Sequence, residues 1–518
     1  MKMLKYIFSG FLCLVVSAAT AQNFYSDFAR EAVLFSQSSV SGTARTSAFG
    51  GAAYSLGGDI SSISANPAGL GFYNRSSFSI TPVMRFGVFR AENDLNNTVS
   101  AGLNVQLPNM GMAIQKRFDQ ENGWISGTFG IAFNQDAYFY NNYRSSFIIE
   151  SIDGNIPQDF VEYALLPVWH ENYNSGSNGE PGAPFTSSSA ARDAAYSDIF
   201  ADFAFSEDLL QIYGSNGEYY LDRYDLQNGV YVTDAVRREE QIDERGGLTN
   251  LDVSYGANYK DILFLGAGLN LGFLNYEKST LITETPNNNF IDYYEIEENR
   301  VLSGVGAGIT LGAIFKPVQY LNIALNYKSP QVISIEETQT LRFDAYGNGI
   351  SGLEVVNEIP NYSYVIPQKV TGSLTAFISK YGFVSADVHY VDYSQGVYSS
   401  NNGAFADGNE VTLEDELQAA VNANVGAEAR LGNLRVRGGY AFYQNPFRDV
   451  SDANNVGFTQ DRAVITAGVG LRFDGFFLDA ALNLENRNTI PLEYYGSGVV
   501  SNSNSKINML RFTIGSNF

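Results

Sequence analysis

Apolar and polar residues alternate along most of this chain, which is the pattern of β-strands with one face turned away from water. One segment carries apolar residues at six successive odd positions: Val305, Ala307, Ile309, Leu311, Ala313 and Phe315. The chain ends on a similar segment, in which one face is formed by Leu510, Phe512, Ile514, Ser516 and Phe518. Strands of about ten residues, joined alternately by short turns and long loops, predict a transmembrane antiparallel β-barrel.

The connections between these segments indicate how many strands there are. Tight turns are predicted at Tyr259-Lys260-Asp261, at Lys380-Tyr381-Gly382 and at Leu431-Gly432-Asn433. Fourteen to sixteen strands can be counted, because Pro108-Asn109 and Pro330 either separate two strands or interrupt one. At Pro108-Asn109 a simple turn is favoured. The alternative is a kink within one strand, since proline removes a ladder hydrogen bond.

Residues 42–73 do not follow the alternation. The segment reads GTARTSAFGGAAYSLGGDISSISANPAGLGFY and is mostly Gly, Ala and Ser, with only Arg45 and Asp59 charged. It lacks the period of a membrane strand and the apolar stripe of a core helix. Because small residues allow close backbone packing, we predict that the segment forms a plug inside the barrel.

A second exception is the acidic insertion at residues 136–245, which has twenty acidic and six basic residues. The turns at the opposite end of the barrel look short, so we expect the insertion to be extracellular. Within it, the periodicity from Ala190 to Tyr213 predicts a helix. Two interpretations remain open: a lid that captures a ligand, and a solvated acidic loop that shields the barrel.

The first residues have the features of a secretory signal peptide. Lys2 and Lys5 precede the apolar run Tyr6 to Val16, and Ala19-Thr20-Ala21 forms a small-x-small cleavage site. We therefore predict a signal peptide at residues 1–21, an N-terminal extension and plug at 22–74, and the barrel at 75–518. The single cysteine, Cys13, falls within the signal peptide, so the mature chain is expected to lack thiols and disulfides.

Composition narrows the class of protein further. The 36 Phe and 33 Tyr residues suit the aromatic girdles of a barrel, and the 50 Gly suit curved strands. After the leader, no segment approaches the roughly 18 apolar residues of a spanning helix. The formal net charge of −23 argues against binding nucleic acid through its phosphates.

No catalytic motif stands out, so the sequence predicts a protein that is not an enzyme and has no cofactor or metal. Ser385, Asp387 and His389 share one strand face, but adjacent residues on one face rarely give the geometry of a catalytic triad. A polar luminal face is the favoured interpretation. With only two histidines, haem ligation through histidine is disfavoured, although tyrosine ligation stays open.

The plug segment contains two motifs, Gly42-Thr43-Ala44-Arg45 through Ala52 and Asn66-Pro67-Ala68-Gly69-Leu70. Both resemble motifs of the outer-membrane transporters of long-chain fatty acids and aromatic hydrocarbons, the FadL and TodX group. Tyr327-Lys328-Ser329-Pro330 is similar to an internal motif of that family. The resemblance implies a fourteen-stranded barrel whose plug, called the hatch, gates the uptake of hydrophobic molecules. The amino-acid composition resembles that of family members from the Bacteroidetes.

The resemblance also implies roles for particular residues. If the hatch is a gate, its expected hinges are the pairs Gly50-Gly51 and Gly57-Gly58, and its expected locks to the barrel wall are Arg45 and Asn66. The alternative is that all these residues only pack the plug. The remaining hatch motif is Pro67, Ala68 and Gly69. Family members release substrate sideways beside a kinked strand, which Pro108 would mark here. A hydrophobic ligand groove is expected among aromatic residues of the insertion: Phe160, Tyr163, Trp169 and Phe200.

The expected partners follow from this assignment. They are a hydrophobic small molecule, outer-membrane lipid and lipopolysaccharide, and the barrel assembly machinery, whose signal the aromatic last strand resembles. The chain is expected to be monomeric. An alternative function is a binding or assembly protein, such as a secretion-system accessory or a hemin receptor, that uses the barrel as an anchor.

Overall fold

Fourteen antiparallel strands form a closed barrel in the computed structural model of the chain, and the barrel closes where the first strand pairs with the last. The strand number agrees with the prediction. The structure describes residues 27–37, 39–92, 97–119, 122–150, 187–195, 210–215, 218–223, 235–286, 291–347, 353–401, 404–405, 409–448, 461–488, 492–493 and 500–518. The signal peptide predicted at residues 1–21 lies outside this described part.

Ten of the barrel strands are continuous and four consist of two segments each. They are β1 (Ser77–Glu92), β2 (Asn97–Arg117), β3 (Trp124–Glu150), β4 (Ala235–Tyr259), β5 (Leu263–Pro286), β6 (Ile291–Val318), β7 (Leu321–Lys328 and Gln331–Gly347), β8 (Leu353–Ile366 and Lys369–Ile378), β9 (Gly382–Asp392 and Val397–Ser399), β10 (Glu410–Thr412 and Ala419–Leu431), β11 (Leu434–Tyr443), β12 (Arg462–Arg472), β13 (Phe476–Asn488) and β14 (Val500–Asn517). Both segments of β7 pair with β6, so Pro330 interrupts one strand.

Pro108 lies inside β2, so the prediction of a turn at Pro108-Asn109 is wrong. The register of β1 and β2 shifts at this point, between the pairs Thr81–Asn109 and Val83–Gln106. Pro82 lies in the same irregularity on β1. A bulge leaves residues without ladder partners, and it can therefore hold two prolines that have no N–H to donate.

The helices are short. They are α1 (Asp27–Ser36), α2 (Ala44–Ala48), α3 (Ser188–Ala195) and three 3₁₀ turns, η1 (Ile60–Ile63), η2 (Pro67–Phe72) and η3 (Tyr393–Gln395). No helix in the described part of the chain is both long and apolar enough to cross a membrane.

Within the insertion, β3 continues to Glu150 and β4 begins at Ala235. A separate hairpin pairs Leu210–Ser215 with Glu218–Arg223. The helix predicted from Ala190 to Tyr213 is therefore wrong over its last residues. The sequence between the two hairpin strands is Asn216-Gly217, a dipeptide that strongly favours two-residue hairpin turns. This local turn preference outweighs the weak helical periodicity that precedes it.

Side chains alternate between the lumen and the outer surface along the strands. On β6, Val305, Ile309 and Phe315 face outward, whereas Leu302 and Ile314 are fully buried. Residues at the end with short turns add exposed aromatic rings: Trp124, Tyr320, Tyr381, Phe473, Phe476 and Phe518. We call this the short-turn end and the opposite one the long-loop end. An apolar outer band edged by aromatics is the surface that a barrel presents to lipid.

A closed ladder predicts heat-modifiable migration on a denaturing gel. Unboiled protein folded in detergent should run faster than boiled protein, because the barrel resists the denaturant until it is heated. Protein denatured in urea before loading serves as the unfolded control. Identical migration of the boiled and unboiled samples would count against a closed barrel.

Candidate functional site: a plugged lumen beside a gap in the wall

Residues 42–73, which we call the plug, fold into α2, η1 and η2 inside the barrel lumen. Each helix begins at a short polar side chain that accepts a hydrogen bond from the first turn. Thr43 accepts from the Thr46 N–H, Asp59 from the Ser61 N–H, and Asn66 from the Ala68 N–H. Pro67 follows Asn66 at the first position of η2, where its missing N–H costs no hydrogen bond. Local capping therefore shapes a segment that has few large apolar side chains.

Glycines on both the plug and the wall allow their backbones to touch. A Cβ on Gly426 of β10 would lie 2.0 Å from the Phe49 carbonyl oxygen, and one on Gly439 of β11 would lie 2.4 Å from the Gly50 nitrogen. On the other side of the lumen, a Cβ on Gly256 would lie 2.2 Å from the Pro67 carbonyl oxygen. The wall therefore needs glycine at these three points, where the plug backbone lies directly against it.

Hydrogen bonds hold the plug to strands all around the barrel. Ser55 contacts the Thr375 hydroxyl at 2.7 Å, and its carbonyl accepts from the Asn322 amide at 2.8 Å. The Ser47 hydroxyl donates to Asn483 at 2.9 Å. Further contacts of 2.7–3.3 Å join Ala44 to Thr513, Ile63 to Ser254, Ala48 to Thr466, and Tyr54 to Asp387. Opening the lumen requires these bonds to break or to exchange.

Arg45 connects the plug to the wall through charge. Its guanidinium lies 3.6 Å from Asp59 within the plug and 3.8 Å from Glu428 on β10, and it donates to the Gly58 carbonyl at 3.2 Å. Burial by itself lowers the pKa of Arg45, but the two carboxylates outweigh burial and raise it. The side chain is therefore charged at all working pH values.

The other residues expected to form the hatch lie in two glycine pairs of the plug and at the start of η2. Gly50, Gly51, Gly57 and Gly58 all have φ between 65° and 78°, a region that other residues rarely adopt. Asn66 donates to the Tyr54 carbonyl inside the plug, and its side chain rests against Gly312 of the wall. Pro67, Ala68 and Gly69 belong to η2 and are buried. Phe160, Tyr163, Trp169 and Phe200 lie outside the described residues.

The three polar residues of β9 have separate partners. Ser385 contacts the Thr375 hydroxyl at 2.7 Å, and the Nδ1 atom of His389 contacts the Thr371 hydroxyl at 2.9 Å. Asp387 accepts from Ser373 and from the Tyr54 N–H of the plug. The three side chains form no hydrogen-bonded chain with one another, as expected for a polar luminal face.

Helix α1 lies in the lumen toward the long-loop end, and sequence analysis did not identify it. Phe35 packs against Phe139 and Tyr276 with ring centroids 5.4 and 5.7 Å apart, and Phe28 packs against Tyr398 and Phe405. We call the barrel residues around the helix the aromatic cage: Phe139, Tyr276, Tyr362, Tyr364, Tyr398 and Phe405.

Polar contacts fix α1 in the aromatic cage. The Tyr364 hydroxyl donates to the Ala32 carbonyl at 3.1 Å, and Glu31 pairs with Arg300, which also binds Glu337 at 2.7 Å. Periodic apolar residues at Phe28, Ala32 and Phe35 were the available signal for this amphipathic helix.

A cavity of about 120 Å³, lined by both polar and apolar side chains, lies between α1 and the plug. Phe35 and Ser39 line it on one side, and Tyr54 and Ser61 line it on the other. Lys328, which pairs with Asp136, also faces this space. The lumen therefore contains an aromatic compartment toward the long-loop end and a cavity of mixed polarity next to the plug.

The barrel wall has a gap in its hydrogen-bond ladder between β2 and β3. These strands pair only from Asn109–Asn134 to Arg117–Ser126. Toward the long-loop end, β2 continues to pair with β1 as far as Asn97, and β3 with β4 as far as Glu150. We call the unpaired stretch between β2 (97–106) and β3 (135–150) the seam. It begins at the bulge that contains Pro108 and at a second bulge, around Asp136 of β3.

Side chains bridge the seam where backbone bonds are missing. Arg85 of β1 donates to Gln106 on β2 at 2.6 Å and to Gln135 on β3 at 2.7 Å. Higher up, the Ser100 hydroxyl donates to the Asn142 carbonyl, and the Tyr140 ring covers Gly102, where a Cβ would lie 1.8 Å from its hydroxyl oxygen. Side-chain contacts can separate without unfolding a strand, and along the seam they take the place of the backbone ladder between β2 and β3.

The fold is similar to that of solved outer-membrane channels. The crystal structure of a Pseudomonas aeruginosa FadL homologue has a TM-score of 0.52 at 12% sequence identity, covering 93% of this chain and 99% of that one. The Pseudomonas putida toluene transporter TodX also has a TM-score of 0.52 at 12% identity, covering 92% and 99%. No protein-family model and no curated protein matches the sequence. At such identities the likeness shows the barrel fold alone.

Replacing Gly426 by Val should displace the plug, because even a Cβ there overlaps the Phe49 carbonyl. We expect faster backbone hydrogen exchange throughout residues 42–73, measured by mass spectrometry, while the strands remain protected. Gly372→Val is the matched control, since no atom lies within 4 Å of a Cβ at that outward position. Equal exchange in the two variants would show that the plug does not depend on this close approach.

Replacing Arg45 by Gln should weaken plug docking by about 1–3 kcal/mol, because Asp59 loses its cation and the plug loses its charged contact with Glu428, which keeps Arg437 at 2.8 Å and Arg430 at 3.0 Å. Single-barrel ion conductance in planar bilayers should then show openings about ten times more often, and Arg45→Lys should partly restore the closed state. The control is Arg342→Gln, which removes a half-exposed pair with Asp344. Unchanged conductance in Arg45→Gln would remove Arg45 from the docking contacts.

Proposed function

We propose that this chain is an outer-membrane transport protein for hydrophobic small molecules such as long-chain fatty acids, related lipids or aromatic compounds. The observation that carries the proposal is the seam, a gap in the ladder of an otherwise closed barrel whose lumen is plugged. A water-filled pore does not favour a poorly soluble solute. A side exit into lipid suits one, because its apolar surface, worth about 25 cal/mol per Å², stays out of water.

The proposed route begins at the long-loop end, with the acidic insertion outside the cell. Apolar ligands collect there, on the aromatic residues of the insertion and in the aromatic cage that α1 occupies. Movement of α1 and of the plug, which acts as the hatch, then exposes the lumen. Gly50-Gly51 and Gly57-Gly58 serve as hinges, and Arg45 and Asn66 act as locks.

Release occurs sideways through the seam. The outer face of β2 beside the gap is apolar, with Val99, Leu103 and Val105 each about 60% exposed. A solute leaving between Gln106 and Gln135 therefore enters the hydrocarbon layer directly. TodX is described as a toluene transporter, and we infer the same broad class of apolar substrate for this chain.

A disulfide across the seam tests lateral release. The double variant Gln106→Cys/Gln135→Cys places one thiol on each edge of the seam, at the two side chains that Arg85 bridges, and the chain's only native cysteine is Cys13. Cells carrying it should take up labelled fatty acid or toluene at least tenfold more slowly when oxidised, and at the normal rate after reduction. The control pair, Ser303→Cys/Glu336→Cys, joins residues already paired in the β6–β7 ladder.

The outcomes separate the alternatives. If oxidation leaves uptake unchanged in both pairs, the solute does not leave through the seam. If cells with and without the gene take up a panel of lipids, aromatics and haem equally, the protein is not a transporter. Co-purification of one stable protein partner in that case would favour an anchored binding or assembly role.

A further inference from the structure

The short-turn end of the barrel is basic, although the chain as a whole carries a formal net charge of −23. Each of the six short turns has a Lys or Arg within it or at most three residues from it. These stretches hold eight basic residues against four acidic ones, which are Asp119, Glu121, Asp261 and Asp474. Positive charge therefore lies at one end of a strongly acidic molecule.

Five of these eight cations form no ion pair within the part of the chain that the structure describes. The other three have carboxylate partners: Lys316 pairs with Asp261 at 2.9 Å, Arg430 with Glu428 at 3.0 Å and Arg472 with Asp479 at 3.0 Å. The unpaired ones are Lys116, Arg117, Lys260, Lys380 and Arg435. Their charge is available to a partner outside the chain.

Two of the unpaired lysines flank β3 on the outer surface, at its short-turn end. Lys116 of β2 pairs in register with Gly127 of β3, and it shares the outward face of β2 with Ile114, which is 47% exposed. On the other side, Lys260 follows β4 in the turn to β5. Its stem crosses Gly123, where a Cβ would lie 2.9 Å from the Lys260 Cε atom. Both lysine side chains are exposed.

Three aromatic side chains accompany these lysines. The Lys260 ammonium lies 5.2 Å from the centroid of the Tyr259 ring, and the Trp124 ring meets that ring edge-on at 5.2 Å. The Tyr255 hydroxyl lies over Gly127, the register partner of Lys116, because a Cβ on Gly127 would be 2.0 Å from its oxygen. We call Lys116, Trp124, Tyr255, Tyr259 and Lys260 the basic foot.

We propose that the basic foot binds the phosphate of an anionic phospholipid, in the leaflet at the short-turn end. Ammonium groups attract phosphate, while lysine stems and the rings of Trp and Tyr suit the boundary between headgroups and hydrocarbon. The apolar outer band begins beside the foot with Ile114 and Phe129, each nearly half exposed, and gives the lipid tails a surface to lie on. An acidic protein would leave that apolar surface uncovered, which favours a lipid.

The tails of a lipid held there reach the start of the seam. Strands β2 and β3 are paired from Arg117–Ser126 to Asn109–Asn134, which is about 27 Å along the strands. At a tilt of about 45° this stretch crosses about 19 Å of membrane, comparable with the roughly 15 Å of one hydrocarbon leaflet. A solute that leaves through the seam therefore enters the bilayer at the tails of this lipid, a consequence that rests on the proposed function.

Fluorescence quenching by brominated lipids tests the proposal, because Trp124 belongs to the basic foot. The chain has two tryptophans, so Trp169→Phe leaves Trp124 as the only indole. This full-length variant is folded into phosphatidylcholine vesicles with a small, equal fraction of brominated phosphatidylglycerol or brominated phosphatidylcholine. We expect the anionic lipid to associate at least tenfold more tightly, since each lysine at a membrane surface contributes about fivefold.

Removing the two lysines from this single-tryptophan protein should remove the preference. In Lys116→Gln/Lys260→Gln we expect the two lipids to differ by no more than about twofold, and salt at about 1 M should have the same effect on the protein with native lysines. The matched control is Arg90→Gln/Arg342→Gln, which removes two cations from the outward face near the long-loop end and should keep the preference.

Two results would overturn the proposal. Equal quenching by the two lipids in the protein with native lysines would assign the cations to an acidic protein partner. Loss of the preference on adding inorganic phosphate at constant ionic strength would show that the foot takes the free anion. No transported solute enters these measurements, so their failure leaves the proposed transport function standing.

Discussion

The need to satisfy every backbone N–H and C=O inside a membrane determines this structure. An unsatisfied group in hydrocarbon costs on the order of several kcal/mol, so a barrel must close its ladder completely or manage the places where it does not. In the described wall, β2 and β3 are the neighbouring strands that both continue far beyond the end of their shared ladder, which stops at Asn109–Asn134. Pro82, Pro108, two bulges and the bridging side chain of Arg85 all lie where the β2–β3 ladder ends.

The plug depends on the same constraint applied to the lumen. Its backbone polar groups lie against strands whose own groups are already paired, so the remaining partners are inward-facing Ser, Thr and Asn side chains. Glycines such as Gly426 and Gly439 remove the atoms that would keep the two backbones apart. A segment of small residues and a wall of small and polar residues are therefore two halves of one contact surface.

The strand number and the plug could be predicted because both leave local signals, alternation in the strands and small residues in residues 42–73. The seam could not be predicted, since it depends on which residues of β2 and β3 pair, and Pro108 alone is compatible with a turn. Arg85 and Arg511 lie far apart in the sequence, and only the closing of the barrel brings their strands together. Helix α1 had a readable periodicity but only ten residues.

Helix α1 and the plug are joined by a short segment of chain within the lumen. Residues 37–41 connect them and can span at most about 18 Å when fully extended. At the plug end of this segment, the Arg511 guanidinium donates hydrogen bonds to the carbonyls of Val40 and Gly42. If α1 moves farther than this segment can extend, the force therefore acts first on the Arg511 contacts. Departure of α1 from the aromatic cage then puts the plug under mechanical tension.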